Sequence, residues 1–407
     1  MHRKSKKDKE KILLIMGIML IATNLRAPFT SIAPLIETIK ASLQITSIQA
    51  GIIQTLPLLA FSLFSPISSW ISLKLGEYRT LSITLFIITI GILIRSNFST
   101  SGLYVGTLLI GVGIAIANVI LPGVLKKEFP NNAASLTGLY ALTMGLAAAF
   151  SSSIIVPAIE ILNLNWKHAL LINLLFPLMA LAIWVPQSKR TSLPRDINAN
   201  SINTFHVWRS SLAWQVSLFF GLNSLIYYVI VSWLPTILQS FGFSLAEAGS
   251  LHGLLQLSTA IPGVFITILL GKLKDQRVMA VISSTLLTIG ISGLLFNPSL
   301  AALWIILIGI STGSGVILGL AFISLRSSSP TQAISLSGMV QSIGYLLASI
   351  GAPSMGFIHD HIGNWSSTLT ICASLSVVLT IFGYMAGKER KLKSVDYKLN
   401  TTEPSTT

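Results

Sequence analysis

The sequence predicts an all-α membrane protein with twelve transmembrane helices, arranged as two six-helix bundles related by pseudo-two-fold symmetry. Three observations support this prediction. First, 52% of the 407 residues are hydrophobic and only 10% are charged, whereas a soluble domain carries about 25% charged residues. Second, the apolar residues are grouped into stretches that can cross a bilayer, which takes about 20 residues. Third, the two halves of the chain resemble each other at an offset of about 200 residues.

Each predicted span is an apolar stretch bounded by polar or basic residues. The first span follows a basic head, as in a signal peptide, but no small-residue cleavage site follows it and eleven further spans do. The predicted spans are 13–38, 47–73, 80–96, 101–124, 133–158, 168–186, 212–239, 246–271, 278–296, 301–325, 332–358 and 366–387. They predict an N-terminal segment 1–12, a bundle 13–186, a central loop 187–211, a second bundle 212–387 and a disordered tail 388–407.

The basic residues predict the orientation, because Lys and Arg are concentrated in cytoplasmic loops. With the N-terminus inside, 23 of the 27 basic residues fall in cytoplasmic segments, and only Lys40, Arg95 and Lys167 fall in outer segments. The remaining basic residue, Arg26, lies within the first span. Both termini, the central loop and the tail are therefore predicted to be cytoplasmic. This topology explains the net charge of +14 better than nucleic-acid binding does.

The internal repeat is clearest at the fifth and eleventh spans. Pro130-Asn-Asn-Ala-Ala-Ser-Leu-Thr-Gly138 aligns with Pro330-Thr-Gln-Ala-Ile-Ser-Leu-Ser-Gly338, with five identities in nine positions. Because each block begins the corresponding span of its half, we interpret the alignment as an internal duplication. Two parallel six-helix repeats are an architecture of secondary transporters, whose solute site lies between the halves near the bilayer midplane.

Two motifs are more specific than the apolar pattern. The first span contains Asn24-Leu-Arg-Ala-Pro-Phe-Thr-Ser-Ile-Ala-Pro-Leu35, and the eleventh contains Leu336-Ser-Gly-Met-Val-Gln-Ser-Ile-Gly-Tyr-Leu-Leu347. With weaker matches along nearly all spans, they resemble the cyanate and 2-nitroimidazole transporter family of the major facilitator superfamily. Pro28 departs from the family pattern by one position, and Leu73 stands where an aspartate is usual. The resemblance implies the major facilitator fold and secondary transport of a small solute.

Arg26 is the strongest candidate for solute contact. It lies about 14 residues into the first span, where a guanidinium costs at least about 2.5–3.5 kcal/mol on insertion scales. A planar guanidinium suits a small anionic solute. The alternative is a structural arginine that ties the first span to a neighbouring carbonyl. The acidic residues of the spans all fall at outer ends, so no carboxylate is expected at this depth: Glu37, Glu160, Glu247 and Asp360.

Further polar residues recur within the spans, several at i, i+4 spacing, and they predict a common cavity. Polar side chains in a span either line a cavity or bridge helices. His252 lies deep in its span and has an ordinary pKa near the physiological range; the repeat places its face near Gln54. Proton coupling through His252 and simple uniport are both open. The candidate solute-binding residues are Arg26, Thr30, Gln54, Asn118, Tyr140, Asn223, Tyr227, His252, Gln256, Gln341 and Tyr345.

The sequence contains no catalytic or cofactor-binding constellation. The single cysteine, Cys372, excludes a multi-cysteine metal site, and the six His have no metal-ligand spacing. No nucleotide-binding motif is present. We therefore expect a monomeric, non-enzymatic transporter of a bacterial inner membrane, without cofactor, metal or nucleic-acid partner. It would carry a small anionic or polar solute such as cyanate by alternating access, with or without protons. Efflux of a neutral drug such as a nitroimidazole, and a non-transporting receptor or scaffold, are the alternatives.

Overall fold

The computed structural model describes residues 2–129, 133–189, 205–270, 273, 275–328 and 330–392, and they fold almost entirely into helices. These ranges contain no strand. Within them, ten helical segments are long and apolar enough to cross a membrane. The other two predicted spans, 246–271 and 332–358, are also helical: the first is divided between Leu245–Ala260 and Pro262–Leu270, and the second lies within Pro330–Ile362. The twelve-span, two-bundle architecture is thus as predicted.

The helices are numbered by span, and letters mark the segments of an interrupted span. The N-terminal half contains α1a (His2–Asn24), α1b (Ala27–Thr30), α1c (Ile36–Leu43), α2 (Ser47–Leu75), α3 (Glu77–Asn97), α4 (Thr100–Glu128), α5 (Ala133–Leu162), α6a (Trp166–Leu171) and α6b (Leu175–Trp184). The C-terminal half contains α7 (Ser211–Ser240), α8a (Leu245–Ala260), α8b (Pro262–Leu270), α9 (Arg277–Phe296), α10 (Ala301–Leu325), α11 (Pro330–Ile362) and α12 (Ser366–Gly387).

The start of the second span in each half uses the same capping device. We call the side of the bundle that carries the chain ends the terminal face, and the opposite side the distal face. At the distal face, Thr46 and Gln49 form a capping box on α2, and Ser244 and Glu247 form one on α8a. Each box satisfies main-chain N–H groups that a helix start leaves free. The equivalence of the two boxes supports the duplication inferred from the sequence.

The two halves meet along α2 with α11 and along α5 with α8a. Glycines make the first contact close. A methyl group added at Gly51 would lie 2.8 Å from the carbonyl oxygen of Ala352, and one added at Gly356 would lie 2.5 Å from that of Ser47. These contacts join the halves at the distal face.

The first span is not the single helix predicted over 13–38. α1a ends at Asn24, the chain turns at Arg26, and only the four residues of α1b precede a second turn. Pro28 and Pro34 account for the interruption, because proline lacks the N–H of a helical hydrogen bond and clashes with the preceding turn.

The interruption leaves main-chain carbonyls without helical partners. Side chains of α3 and α5 donate hydrogen bonds to these carbonyls. Arg95 Nη1 donates to the Pro28 carbonyl at 2.6 Å. The Ser151 hydroxyl donates to the Ala27 carbonyl at 3.2 Å. The Ser152 hydroxyl donates to the Thr30 carbonyl at 3.3 Å. Broken backbone is tolerated at membrane depth only where the protein supplies such partners.

The C-terminal tail begins with a fixed segment, although we predicted disorder from residue 388. The main-chain N–H of Leu392 donates to the Arg326 carbonyl at 2.8 Å, and the Ser328 hydroxyl donates to the Leu392 carbonyl at 2.6 Å. Arg326 also donates to the carbonyl of Gly387 at 2.8 Å. The prediction is therefore wrong for 388–392, because these bonds fix the segment beside α10. Residues 393–407 and most of the central loop, 190–204, lie outside the described residues.

Candidate functional site

A cavity of about 130 Å³ lies between the two halves, beside the turn that follows α1a. Most of its wall is apolar, and Arg26 is the one charged residue among the described residues that line it. The remaining polar side chains of the wall are Tyr227 and two threonines. The lining residues come from both halves: Arg26, Met144, Tyr227, Thr259, Ala260, Gly263, Thr312, Gly313, Val316 and Ile317.

The Arg26 guanidinium is held by a neutral partner. Nη1 donates to the Thr259 hydroxyl at 3.0 Å, and the guanidinium carbon lies 5.6 Å from the centroid of the Tyr227 ring. No carboxylate lies within 4.0 Å of Arg26 in the described part of the chain. The charge therefore faces the cavity without an ionic partner. Because Arg26 and Thr259 belong to different halves, their hydrogen bond joins the two halves at the cavity wall.

Four tyrosines lie near this charge, and we call Tyr140, Tyr227, Tyr228 and Tyr345 the tyrosine cage; of these four, Tyr227 lines the cavity. All four are close enough to interact electrostatically with Arg26. The rings of Tyr227 and Tyr228 meet edge-on, with centroids 5.0 Å apart. Aromatic faces attract a guanidinium, by about 0.5–1 kcal/mol at exposed sites and more when water is excluded. Edge-on rings also offer packing positions to a further planar group.

A buried hydrogen-bond chain leads from the tyrosine cage to the interface with α5. The Tyr227 hydroxyl donates to Gln256 Oε1 at 3.0 Å. Gln256 Nε2 lies 3.4 Å from His252 Nε2, and His252 Nδ1 lies 3.1 Å from the Ser152 hydroxyl. His252, Gln256 and Ser152 are fully buried.

The other predicted residues make contacts that join elements. The Thr30 hydroxyl donates within its own turn and lies 3.4 Å from the Ala148 carbonyl of α5. The Asn223 amide donates to the Thr312 carbonyl at 3.1 Å, which joins α7 to α10. Neither side chain is in the cavity wall.

Three further predicted residues lie in or near other helix contacts. Asn118 accepts a hydrogen bond from Tyr140 at 3.2 Å, so it orients a residue of the tyrosine cage. Gln341 donates to Ser337 within α11 at 2.8 Å. Gln54 is buried, and its amide nitrogen has no hydrogen-bond partner among the described residues.

One expectation about neighbours is wrong. His252 was expected near Gln54 of α2, but α8a packs against α5, so His252 meets Ser152. Arg95, which was counted with the outer basic residues, lies in the last turn of α3 and is 1% exposed. Its hydrogen bond to the Pro28 carbonyl explains why it turns inward.

The sequence reasoning also missed polar residues of the cavity wall. Thr259 follows Gln256 by three positions and so shares the helix face of His252 and Gln256, which is a signal that could have selected it. Thr312 gave no such signal. It lies among small residues of α10, and none of the selected polar residues is one turn away from it.

The fold and the cavity define a class of protein. Two bundles of membrane-spanning helices, with a charged cavity between them and a broken helix in its wall, form a polytopic transporter of small solutes. The model of the Major Facilitator Superfamily matches residues 14–349, so this chain belongs to that superfamily. It is a transporter and not an enzyme.

Individual relatives and structures agree with this assignment. A 2-nitroimidazole transporter of Escherichia coli (strain K12) is 49% identical over 385 residues, which cover 95% of this chain and 98% of the relative. The cyanate transport protein CynX of the same organism is 26% identical over 86% of this chain and 91% of its own length. The crystal structure of a D-xylose-proton symporter has a TM-score of 0.76 at 13% identity, covering 94% of this chain and 99% of that one.

Proposed function

We propose that this protein transports a small planar solute that bears a delocalised pair of oxygen atoms, and that a 2-nitroimidazole is a solute of this kind. The observation that carries the proposal is the position of Arg26, which faces the cavity without a carboxylate partner and within the tyrosine cage. The name of the relative that is 49% identical points to the same solute class.

A nitroaromatic solute uses both features of the cavity. The two nitro oxygens carry partial negative charge and match the planar fork of a guanidinium, which binds paired oxygens better than an ammonium does. The aromatic ring can pack edge-on against Tyr227, the residue of the tyrosine cage that lines the cavity. The small cavity volume, about 130 Å³, favours a single ring over a larger drug.

Cyanate is the second candidate, because CynX is a relative over most of its length. A linear anion would bind Arg26 by charge alone and would leave the Tyr227 ring of the cavity wall without a contact. We therefore place the nitroaromatic solute first and the small anion second.

The transport we propose is secondary and proceeds by alternating access. The halves, 13–186 and 212–387, would rock about the central site, and the contacts of Gly51 and Gly356 at the distal face would separate to admit or release solute. We further propose a monomer in a bacterial inner membrane with both termini in the cytoplasm, since the basic residues are concentrated on the terminal face.

The test is uptake into proteoliposomes of labelled 2-nitroimidazole and labelled cyanate, each competed by the other. We expect saturable uptake of 2-nitroimidazole that exceeds uptake of cyanate. Saturable uptake of cyanate alone would favour the second candidate. Uptake of neither solute by correctly folded protein would contradict the proposal.

The variants Arg26→Ala and Arg26→Lys test the site itself. We expect Arg26→Ala to lower kcat/KM by at least about tenfold, the value of one charge-assisted contact, and Arg26→Lys to recover little because an ammonium lacks the planar fork. Arg209→Ala is the matched control, because Arg209 is an exposed arginine of the terminal face. Normal transport by Arg26→Ala would show that Arg26 is structural.

A further inference from the structure

The bond from the Tyr227 hydroxyl to Gln256 Oε1 determines the donors along the rest of the hydrogen-bond chain behind the cavity. Because the Tyr227 hydroxyl donates to Gln256 Oε1, the amide N–H of Gln256 faces His252 Nε2. That nitrogen must then accept, since an amide NH₂ group can only donate.

The other side of His252 completes the assignment. With Nε2 accepting, the neutral imidazole carries its proton on Nδ1 and donates to the Ser152 hydroxyl at 3.1 Å. Ser152 in turn donates to the Thr30 carbonyl at 3.3 Å. In this assignment every donor of the chain meets an acceptor, and the Gln256 amide keeps its orientation as long as His252 Nε2 accepts.

We infer that Gln256 is a positioning residue that couples the protonation of His252 to the hydrogen-bonding character of Tyr227 in the cavity. The inference rests on the proposed function, because it assumes that solute occupies the cavity that Tyr227 lines. It adds a physical link between a proton and the solute, and that link runs through one amide group.

The coupling follows from the geometry of the amide. A proton added at His252 Nε2 creates an N–H that opposes the N–H of Gln256. A half-turn of the amide removes this conflict, since Oε1 then accepts from His252 and the NH₂ group donates to the Tyr227 oxygen. The Tyr227 hydrogen is thereby released toward the cavity. One proton is gained by His252, and no covalent bond changes elsewhere.

The Arg26 charge also links solute binding to the protonation of His252. Among the described residues, the titratable groups next to this chain are Tyr228, whose ring meets that of Tyr227, and Arg26, which reaches α8a by its hydrogen bond to Thr259. From α5 the facing groups are hydroxyls, Ser152 among them. The Arg26 charge opposes a second positive charge at His252. Solute oxygens bound to Arg26 offset this repulsion, so solute binding and proton uptake favour each other.

The first experiment measures binding of 1-methyl-2-nitroimidazole, which has no ring N–H to ionise, to the purified full-length protein. We expect the wild type to bind roughly 2- to 10-fold more tightly once the pH has fallen through the titration midpoint of His252, the value of one added neutral hydrogen bond. His252→Asn should bind with an affinity that does not depend on pH. Tyr227→Phe and Gln256→Leu should keep only the smaller dependence that arises from repulsion between Arg26 and His252. Tyr104→Phe, which removes a hydroxyl at the distal face, should retain the dependence.

A second experiment requires no solute. In ¹⁵N-histidine NMR of the solute-free protein, we expect Tyr227→Phe to shift the midpoint of the His252 titration and Tyr104→Phe to leave it unchanged, with the signal assigned by its loss in His252→Asn. An unchanged midpoint in Tyr227→Phe would overturn the coupling, as would full pH dependence of binding in that variant. If the wild type binds no probe at any pH but the midpoint shifts, the coupling stands and the proposed solute is wrong.

Discussion

Asp360 joins the two halves at the distal face, and its removal should open that face. Its carboxylate accepts a hydrogen bond from the main-chain N–H of Ser47, the first residue of α2, at 3.1 Å. Ser47 belongs to the N-terminal half and Asp360 to the C-terminal half, and we call this pair the distal latch. A carboxylate is favoured at a helix N-terminus because the first N–H groups lack helical partners. In Asp360→Ala the capping box of Thr46 and Gln49 still holds α2 in its helical form.

The magnitude follows from these contacts. A capping hydrogen bond contributes about 0.5–2 kcal/mol, and the interaction of a charge with the helix dipole contributes about 0.3–1 kcal/mol. The Asp360 side chain is 29% exposed, so solvent screening favours the lower part of the combined range, about 1–2 kcal/mol. Since 1.4 kcal/mol corresponds to a tenfold change, the population with an open distal face should rise roughly 5- to 30-fold.

The distal latch should be insensitive to mild acid. Burial opposes ionisation of Asp360, but hydrogen bonds from Ser47, His359 and the main chain of Ile48 outweigh it and lower the pKa of the carboxyl. A lowered pKa means that the latch is complete above the ordinary value of about 3.9 and is lost only as the pH falls through the lower value. Lowering the pH from 7 to about 5 should therefore leave the distal face closed.

The assay is maleimide labelling of Ser47→Cys in purified protein. Ser47 is 2% exposed, and the native Cys372 is buried. Ser47→Cys keeps the main-chain bond to Asp360 and loses only the additional bond from the Ser47 hydroxyl. Labelling should accelerate roughly 5- to 30-fold when Asp360→Ala is added. Glu160→Ala, which removes an exposed carboxylate from the end of α5, should have no effect. A labelling rate unchanged by Asp360→Ala in folded protein would refute the reasoning.

Three further predictions concern topology and packing. A periplasm-active phosphatase fused after Thr407 should be inactive, because the orientation that we propose from the basic residues puts the tail in the cytoplasm; strong activity would overturn that orientation. Arg95→Met should lower the unfolding temperature and weaken solute binding, whereas Arg95→Lys, which can still donate to the broken first span, should recover part of both. Gly313→Ala should lose about 1–3 kcal/mol of stability, because its methyl group would clash with the Thr259 carbonyl; Gly123→Ala, which meets no atom within 4 Å, should be neutral, and equal effects of the two would contradict this account.

The architecture was predictable because it depends on local composition. Apolar stretches of fixed length specify spans, and the blocks that begin at Pro130 and Pro330 specify the repeat. The equivalent capping boxes at Thr46 and Ser244 are likewise visible as short polar motifs before each second span. None of these features needs knowledge of which helices touch.

The site was less predictable because its contacts join residues far apart in the chain. The bond from Arg26 to Thr259 spans 233 positions, and no helical spacing predicts it. Thr259 also donates to the Gln256 carbonyl one turn away, which is the usual partner of a hydroxyl in an apolar helix. A threonine that lines a cavity is therefore hard to distinguish from one that only bonds its own helix.

From the sequence, Arg26 had two possible roles, contact with solute and structural support of the first span. In the structure, Arg95 provides the structural support. The structural alternative for Arg26 was an arginine that ties the first span to a neighbouring carbonyl. Arg95 makes that contact, with Nη1 on the Pro28 carbonyl at 2.6 Å and 1% exposure. Arg26 lies on the other side of the same turn, is only partly buried, and bonds a hydroxyl of the cavity wall. Arg95 already holds the turn, so Arg26 is not needed for that purpose. The free-energy cost of placing the Arg26 charge at membrane depth must therefore be offset by another interaction. The solute cavity and the tyrosine cage supply one, and this supports the role proposed for Arg26.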